Sequence, residues 1–490
     1  MGTRGRSPSP PGSGPMAEPR AARRPGLLLA VLCTAQIMLV LDLVVVTVAL
    51  PSIRADLGVA EADLQWVVTA YGLAYGGFMI TAGRVGDLFG HRRVLVAGLV
   101  VFTAASALAG LAGSPAVLFA ARALQGVGGA LVSPTALALV ATAFAEGDAR
   151  NRALGVWGAV GSAGATGAAL VGGLLTDLVH WRAIFMINLP VGAAVILAVL
   201  RLVGDHRPGG PRRLDLTGAA LLTGGAVLLV AAVTRAAEGP TAAVWAMAAA
   251  SVAMLAVFAV VERRVAEPVV KLSMLADPNV RYGNLICALS AAAALVTQYF
   301  TTLSLQNVAG LSPLQTGLAF APVTAIIVVV SGRVGALVAR FGVRRMLAGG
   351  AAVTALGLLV LGLAPPGALW TGVLPGLLLG GLGAGLMYAP SMIVSTTGVA
   401  DGDQGLASGL LNTSFQLGGP LGLAVLNAVA AAVAGGATGA QALTDGYRAA
   451  FLWSLALPTL IAAAVAALPG DRSRGMPAPG SASPPTRRSA

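Results

Sequence analysis

The sequence is poor in charge and in the residues that build chemical centres. Only 10% of its 490 residues are charged, whereas 57% are hydrophobic; soluble domains carry about 25% charged residues. The two cysteines, Cys33 and Cys287, lie within apolar stretches, and the three histidines are far apart. These positions argue against a disulfide framework and a metal site. We therefore predict no metal and no bound cofactor.

The charged residues also lack the arrangements that enzymes and nucleic-acid-binding proteins use. The net charge of +12 is spread in short runs between apolar blocks, not along one face of a domain, so we predict no nucleic-acid partner. The chain contains no P-loop motif, so drive by ATP is not supported. No Ser/His/Asp set or pair of carboxylates is visible, and we predict that the protein is not an enzyme. A membrane receptor or an enzyme remains the competing class.

Long apolar blocks dominate the chain. About 20 apolar residues span the hydrocarbon core of a bilayer, and such a segment must be helical because lipid offers its backbone no hydrogen-bond partner. The sequence therefore predicts an all-α membrane protein with 14 transmembrane helices. The blocks lie near residues 27–49, 66–86, 94–112, 116–144, 153–175, 183–203, 217–234, 243–262, 283–305, 315–338, 346–364, 371–395, 405–433 and 449–468.

Basic residues between the blocks predict the orientation of the chain. If the N-terminus is cytoplasmic, the cytoplasmic segments hold 26 of the 31 Lys and Arg residues, and the outer loops hold Arg54, Arg182, Arg235 and Arg448. Lys and Arg concentrate on the cytoplasmic side of membrane proteins. We predict a multi-pass protein of the plasma (cytoplasmic) membrane, surrounded by the lipid bilayer, with both termini cytoplasmic and with a monomer as the functional unit.

The sequence repeats itself. Residues 83–95 (GRVGDLFGHRRVL) are similar to residues 335–347 (GALVARFGVRRML), and residues 181–185 (WRAIF) to residues 447–451 (YRAAF). Two six-helix halves of the same topology are a transporter architecture. We expect the seventh and eighth helices, which form an insert, to face lipid. The predicted units are a disordered cytoplasmic tail (1–25), an N-terminal half (26–203), a two-helix insert with flanking loops (204–281), a C-terminal half (282–469) and a second disordered cytoplasmic tail (470–490).

Two charged residues lie deep within apolar blocks. Asp42 is the only acidic side chain well inside any block, and Arg122 lies inside the fourth block. Intramembrane charges usually face a cavity and have a function. Asp42 lies about 12 Å and Arg122 about 9 Å from the outer ends of their helices at 1.5 Å per residue. Because their depths agree, we predict that they meet and couple proton binding to transport; a static pair that orients the two helices is the alternative.

Six motifs together resemble the major facilitator superfamily, specifically its fourteen-helix drug:proton antiporter branch. They follow one another in the family's order over roughly residues 27–468. The motifs are Leu41–Asp42 through Pro51, Gln65–Tyr71, Gly83–Arg93, Arg122–Gly126, Trp181–Gly192 and Gln306–Pro322. The resemblance implies two six-helix bundles plus two extra helices. It also implies a secondary transporter that exports drug-like or antibiotic molecules in exchange for protons, with the proton as the only coupling ion.

The resemblance also implies a gate and a hinge. Gly90 allows a sharp turn in the loop between the second and third helices, and Asp87 can pair with arginines or a helix N-terminus of the other half. The predicted gating residues are Gly83, Asp87, Gly90, Arg92 and Arg93. The fifth helix carries the candidate hinge glycines Gly164, Gly167, Gly172 and Gly173. These glycines equally fit close helix packing.

The direction of transport stays open in the sequence. The family's antiporter motif has a Gly-Pro pair in the fifth helix, where this chain has Ala168 and Ala169. A proton-coupled symporter or a metabolite carrier of the same fold is therefore the alternative function, because a fold does not settle a substrate. An amphiphilic small molecule is the expected ligand, and the candidate cavity residues are Tyr71, Gln125, Tyr299 and Gln306.

Overall fold

A computed structural model of the chain shows a helical architecture. It describes residues 25–144, 148–204, 216–236, 239, 241–265, 272–331, 333–365, 368–399, 404–435 and 439–469. The predicted tails lie outside these ranges, except that Pro25 begins the first helix.

Helices make up nearly all of the described chain. Those of the N-terminal half are α1 (Pro25–Val48), α2 (Leu50–Leu57), α3 (Trp66–Phe89), α4 (His91–Gly110), α5 (Pro115–Ala143), α6 (Asp148–Leu178), α7 (Ala183–Met186) and α8 (Asn188–Leu202). The insert holds α9 (Leu216–Ala236) and α10 (Ala242–Glu262). The C-terminal half holds α11 (Pro278–Leu303), α12 (Pro313–Ser331), α13 (Val334–Phe341), α14 (Val343–Leu363), α15 (Leu374–Thr396), α16 (Gln404–Ala434), α17 (Ala440–Trp453) and α18 (Ala456–Ala466).

Each of the fourteen predicted apolar blocks falls on helical residues. Three blocks are interrupted and form the pairs α7–α8, α12–α13 and α17–α18. Among the described residues, ten helices are long and apolar enough to cross a membrane, and the stretches Ala220–Ala236 and Pro313–Ile327 are shorter apolar helices. The fold is therefore an all-helical membrane fold.

The internal repeat is visible in the backbone and in one side chain of each half. Gly90 joins α3 to α4 with φ 92°, and Gly342 joins α13 to α14 with φ 80°; such angles favour glycine. Two residues later, the Arg92 guanidinium donates to the Leu200 carbonyl (2.8 Å) near the end of α8. Its repeat counterpart, Arg344, donates to a carbonyl at the end of α18, that of Ala466 (3.1 Å). The two halves thus bind their sixth helix in the same way.

Close helix contacts join the two halves. α3 packs on α16 and α6 packs on α12. A Cβ atom on Gly72 would lie 2.9 Å from Pro420 Cγ, and one on Gly76 would lie 2.7 Å from Gln416 Cβ. Glycine at these two positions therefore lets α3 and α16 approach each other closely, as small residues do between membrane helices.

The two helices of the insert differ in what they contact. α9 packs against both α3 and α16, and α10 packs on α9. The Gln65 amide donates to the Thr234 hydroxyl of α9 (2.8 Å). On α10, Trp245 and Val252 are exposed. The expectation of a lipid-facing surface thus fits α10, whereas α9 lies beside the junction of the two halves because small residues of α3 leave room for it.

Candidate functional site

The two intramembrane charges form an ion pair inside the N-terminal half. Asp42 Oδ2 on α1 accepts from Arg122 Nη1 on α5, and neither side chain has any exposed surface. Asp42 and Arg122, whose depths in their helices match in the sequence, thus meet in the structure. A buried charge requires pairing and full hydrogen bonding to be tolerated, so the surrounding polar groups decide what this pair can do.

Three polar side chains complete the carboxylate site. Gln125 Nε2 donates to Asp42 Oδ1 (2.9 Å) and to the Ser106 hydroxyl (2.8 Å). Asn188 Nδ2 donates to the same Asp42 oxygen (3.1 Å) and lies 3.3 Å from Ser106 Oγ. Each Asp42 oxygen therefore has its own donors: Arg122 on Oδ2, and two amides on Oδ1.

The guanidinium of Arg122 is bound through Nε and Nη1, whereas its buried Nη2 has no hydrogen-bond partner among the described residues. Its Nε donates to the Val67 carbonyl of α3 (2.8 Å), and Nη1 also donates to Gln125 Oε1 (2.9 Å). Its Cζ lies 4.6 Å from the ring centroid of Tyr71 and 5.7 Å from that of Phe185. Cations are attracted to aromatic faces at these distances. Arg122 therefore links α3, α5 and α7 around the carboxylate of α1.

Two members of this network, Ser106 and Asn188, were missed by the sequence analysis. A signal was present, because both are polar residues within apolar blocks and both are buried. Asn188 also follows the break between α7 and α8. Sequence spacing alone cannot show that α4 and α8 meet α1 at the depth of Asp42.

An apolar cavity lies on the other side of α1. Its volume is about 190 Å³, and Val44 is the one residue of the N-terminal half in its lining. Val44 follows Asp42 by two residues, which places the two side chains about 200° apart around the helix. The polar lining groups are Ser290, Thr297, Gln298 and Thr354. A mostly apolar wall with a few polar groups is typical of small-molecule sites.

The four residues predicted to line a cavity are not among the lining residues of two cavities in the described part of the chain. Tyr71 and Gln125 belong to the ion-pair network, because both contact Arg122. Tyr299 is fully buried and packs edge-on against Phe300. Gln306 donates to the Val48 carbonyl of the opposite half (2.8 Å). Their role in a substrate cavity stays a prediction.

The predicted gating residues are brought to one end of the N-terminal half. Gly83 lies in α3, Gly90 makes the turn after it, and Arg92 and Arg93 begin α4. Arg92 binds the end of α8. Asp87 lies on the last turns of α3, but its side chain is outside the described part of the structure. The loop thus lies at one end of α3 and α4, and the gating role of its residues stays a prediction.

The glycines of α6 divide into two groups. The surroundings of Gly164 and Gly167 are outside the described part. A Cβ on Gly172 would lie 2.9 Å from the Val45 carbonyl of α1, and one on Gly173 would lie 2.5 Å from the Pro313 carbonyl of α12. This geometry favours close packing at these two positions, where α6 touches both halves.

The fold and the buried site are those of a membrane transporter, and comparisons with known proteins give the family. The sequence profile of the Major Facilitator Superfamily matches residues 32–423, and the chain belongs to this superfamily. It is 40% identical over 449 residues to the cephamycin export protein of Amycolatopsis lactamdurans, covering 90% of this chain and 92% of the relative. It is 39% identical to the puromycin resistance protein of Streptomyces alboniger, covering 93% of each chain. These relatives confirm the predicted class, a small-molecule exporter.

Solved structures show the same fold. A bacterial homologue of the human lysosomal transporter Spinster, in an inward-facing and unoccupied conformation, superposes with a TM-score of 0.67 at 16% identity. The match covers 90% of this chain and 96% of that one. The superfamily fold predicted from the motifs is therefore present.

Proposed function

We propose that this protein exports amphiphilic, antibiotic-like molecules from the cytoplasm and that proton entry through Asp42 drives the export. The observation that carries this proposal is the position of α1 between the ion pair and the cavity. Asp42 faces the buried network, whereas Val44 of the same helix lines the cavity. A change in the charge of Asp42 therefore acts on the helix that forms the cavity wall.

The effect of protonating Asp42 follows from its buried ion pair with Arg122. A proton on Asp42 removes the negative charge that Arg122 binds, and leaves Arg122 buried with aromatic rings and neutral acceptors. Removing one partner of a buried ion pair destabilises the folded protein by about 3–5 kcal/mol. Protonation therefore favours a rearrangement of α1 against α5, which reshapes the cavity on the far side of α1.

The cavity supports an amphiphilic substrate. Its walls are mainly aliphatic, with hydroxyl and amide groups but no charged side chain among the lining residues that the structure describes. Such a site binds apolar surface and orients it through a few hydrogen bonds. The relatives handle chemically different compounds, since their names refer to cephamycin, puromycin and tetracenomycin C.

The remaining features complete the proposal. We assign the chain to the fourteen-helix branch, with fourteen spans, in the plasma membrane and with both termini cytoplasmic. Reporter fusions after residue 203 should then read cytoplasmic, and fusions near residue 178 external. We also propose that the protein acts as a monomer, needs no metal or organic cofactor, and is a transporter rather than an enzyme.

The decisive experiment is efflux from proteoliposomes with an imposed pH gradient. Asp42→Asn keeps the size of the side chain and one acceptor oxygen but carries no acid group, so we expect it to abolish uphill efflux of puromycin while substrate binding survives. Asp445→Asn is the matched control, because this acid is exposed on α17. Uphill, gradient-dependent efflux by the Asp42→Asn protein contradicts the mechanism. Accumulation of substrate in the same direction as proton flow assigns symport, the alternative that Ala168 and Ala169 leave open.

A further inference from the structure

The segment between α1 and α3 contacts both halves of the protein. We call residues 49–65 the outer strap; they include α2 and a short 3-10 turn at Glu61–Asp63. Three apolar residues of the strap, Leu50, Ile53 and Leu64, are fully buried. The strap lies at the end of the bundle that carries Arg54, Arg182 and Arg448, which the charge distribution predicts to be external.

One acid of the strap binds the N-terminal half. Asp56 Oδ2 accepts from the Trp181 indole nitrogen (3.0 Å) and from Arg182 (3.2 Å). Arg182 also donates to the Ala112 carbonyl at the end of α4 (2.9 Å). Since α1 and α3 also belong to this half, the strap is fixed to the N-terminal half at both ends and in its middle.

A second acid of the strap binds the C-terminal half. Glu61 Oε1 accepts from the Tyr447 hydroxyl of α17 (2.8 Å). Tyr447 occupies the position in the second repeat that Trp181 occupies in the first. The two repeat-related aromatic residues therefore bind two acids of the same strap, one from each half.

Further bonds cross between the halves nearby. The Gln306 amide donates to the Val48 carbonyl (2.8 Å), and the Gln298 amide donates to the Thr47 hydroxyl (3.1 Å). All of these bonds involve the outer end of α1 or the strap on one side and C-terminal-half residues on the other. Separation of the halves at this end must break all of them.

Each partner of the Glu61–Tyr447 bond keeps a partner in its own half. Glu61 forms an ion pair with Arg54 of α2. The Tyr447 hydroxyl accepts from the Asn307 amide (3.2 Å), which lies in the π-helical turn Ser304–Val308 that follows α11. Opening therefore removes one charge-assisted hydrogen bond without leaving a lone carboxylate or an unpartnered hydroxyl, and such a bond is strong enough to bias an equilibrium but not to lock it.

We propose that Glu61 and Tyr447 form the outer gate of the transporter, and that the strap carries Glu61 as a rigid part of the N-terminal half. The inference rests on the proposed export function, because only alternating access requires this end to open. Asp56 is the fixed attachment of the strap, and Glu61 is the contact that breaks in each cycle.

The test measures the opening directly by the distance between two spin labels. Ala55 on α2 and Ala440 on α17 are exposed and are replaced by cysteine, and the buried Cys33 and Cys287 are replaced by alanine. We expect Tyr447→Phe and Glu61→Met each to raise the population with the longer distance about tenfold relative to the parent. The double variant should do no more than either single one, because both remove the same bond.

Asp63→Asn is the matched control, since Asp63 is an acid of the same strap that binds neither Trp181 nor Tyr447. We expect its distance distribution to match that of the parent. An unchanged distribution in Tyr447→Phe, or an equal opening by Asp63→Asn, overturns the proposal. The same measurement in the Asp42→Asn background separates the two claims, because the gate must still open there even if no substrate is exported.

Discussion

The two halves share a topology but differ in what they bury. The N-terminal half encloses a charged network around Asp42 and Arg122, whereas both described cavities are lined mainly by the C-terminal half. The repeat makes the difference specific. Ser106 corresponds to Leu358, and Asn188 to Ser454, whose hydroxyl donates to Phe451 of its own helix (2.6 Å). One half thus holds a buried ion pair, and the other leaves space.

The largest expected effect is a loss of folding stability that differs between the two halves. Arg122→Met leaves the Asp42 carboxylate buried without its cation, so we expect a loss of about 3–5 kcal/mol, measured by thermal unfolding in detergent. Arg448→Met is the comparison at an exposed position of the C-terminal half, and it should change stability by less than about 0.5 kcal/mol. The double variant Asp42→Asn/Arg122→Met should regain most of the stability yet remain inactive in uphill transport. Equal losses at Arg122 and Arg448 contradict the distinction.

A second effect tests the amide shell of the carboxylate. Asn188→Ala removes a donor from Asp42, and we expect efflux driven by a pH gradient to fall about tenfold, since a hydrogen bond to a charge contributes about 1.5–3 kcal/mol. Ser454→Ala, at the repeat-equivalent position, should reduce efflux less than about twofold. The rates are compared at equal protein density in proteoliposomes. Similar losses in both variants would reduce Asn188 to a packing residue.

A third, smaller effect addresses the cavity. The Thr354 hydroxyl has no hydrogen-bond partner among the described residues, and Thr354 lines the cavity. We expect Thr354→Val to change the ratio of KM values for two transported compounds of different structure by about three- to tenfold. Protons moved per substrate should stay constant, because the ion pair is untouched. A change in that stoichiometry contradicts the separation of roles.

The smallest effect compares the two repeat-related arginines. Arg92→Gln and Arg344→Gln each remove one hydrogen bond to a helix end, so each should lower stability by about 0.5–1.5 kcal/mol. A purely structural role predicts equal effects on transport. Slower transport by Arg92→Gln alone, together with slower transport by Asp87→Asn at normal expression, would assign the gate to the first repeat.

Sequence patterns predicted those features that depend on one helix at a time. The lengths of the apolar blocks, the turn at Gly90, and the depths of Asp42 and Arg122 all follow from local composition and helix rise. The partners of these residues do not, because they depend on which helix faces meet. Gln125 was therefore expected in a cavity, whereas its position one turn after Arg122 on α5 brings it to Asp42. The bridging role of the strap also depends on the packing of the two halves.

The near-exclusive lining of the cavity by one half has a consequence for the evolution of substrate range. Val44 is the only contribution of the N-terminal half to the described lining. Substitutions that adapt this cavity to a new compound therefore fall on α11, α12, α14 and α15, away from the Asp42–Arg122 pair. A gene for such a protein can change its range of compounds by point mutation while the half that holds the buried ion pair stays under constant selection.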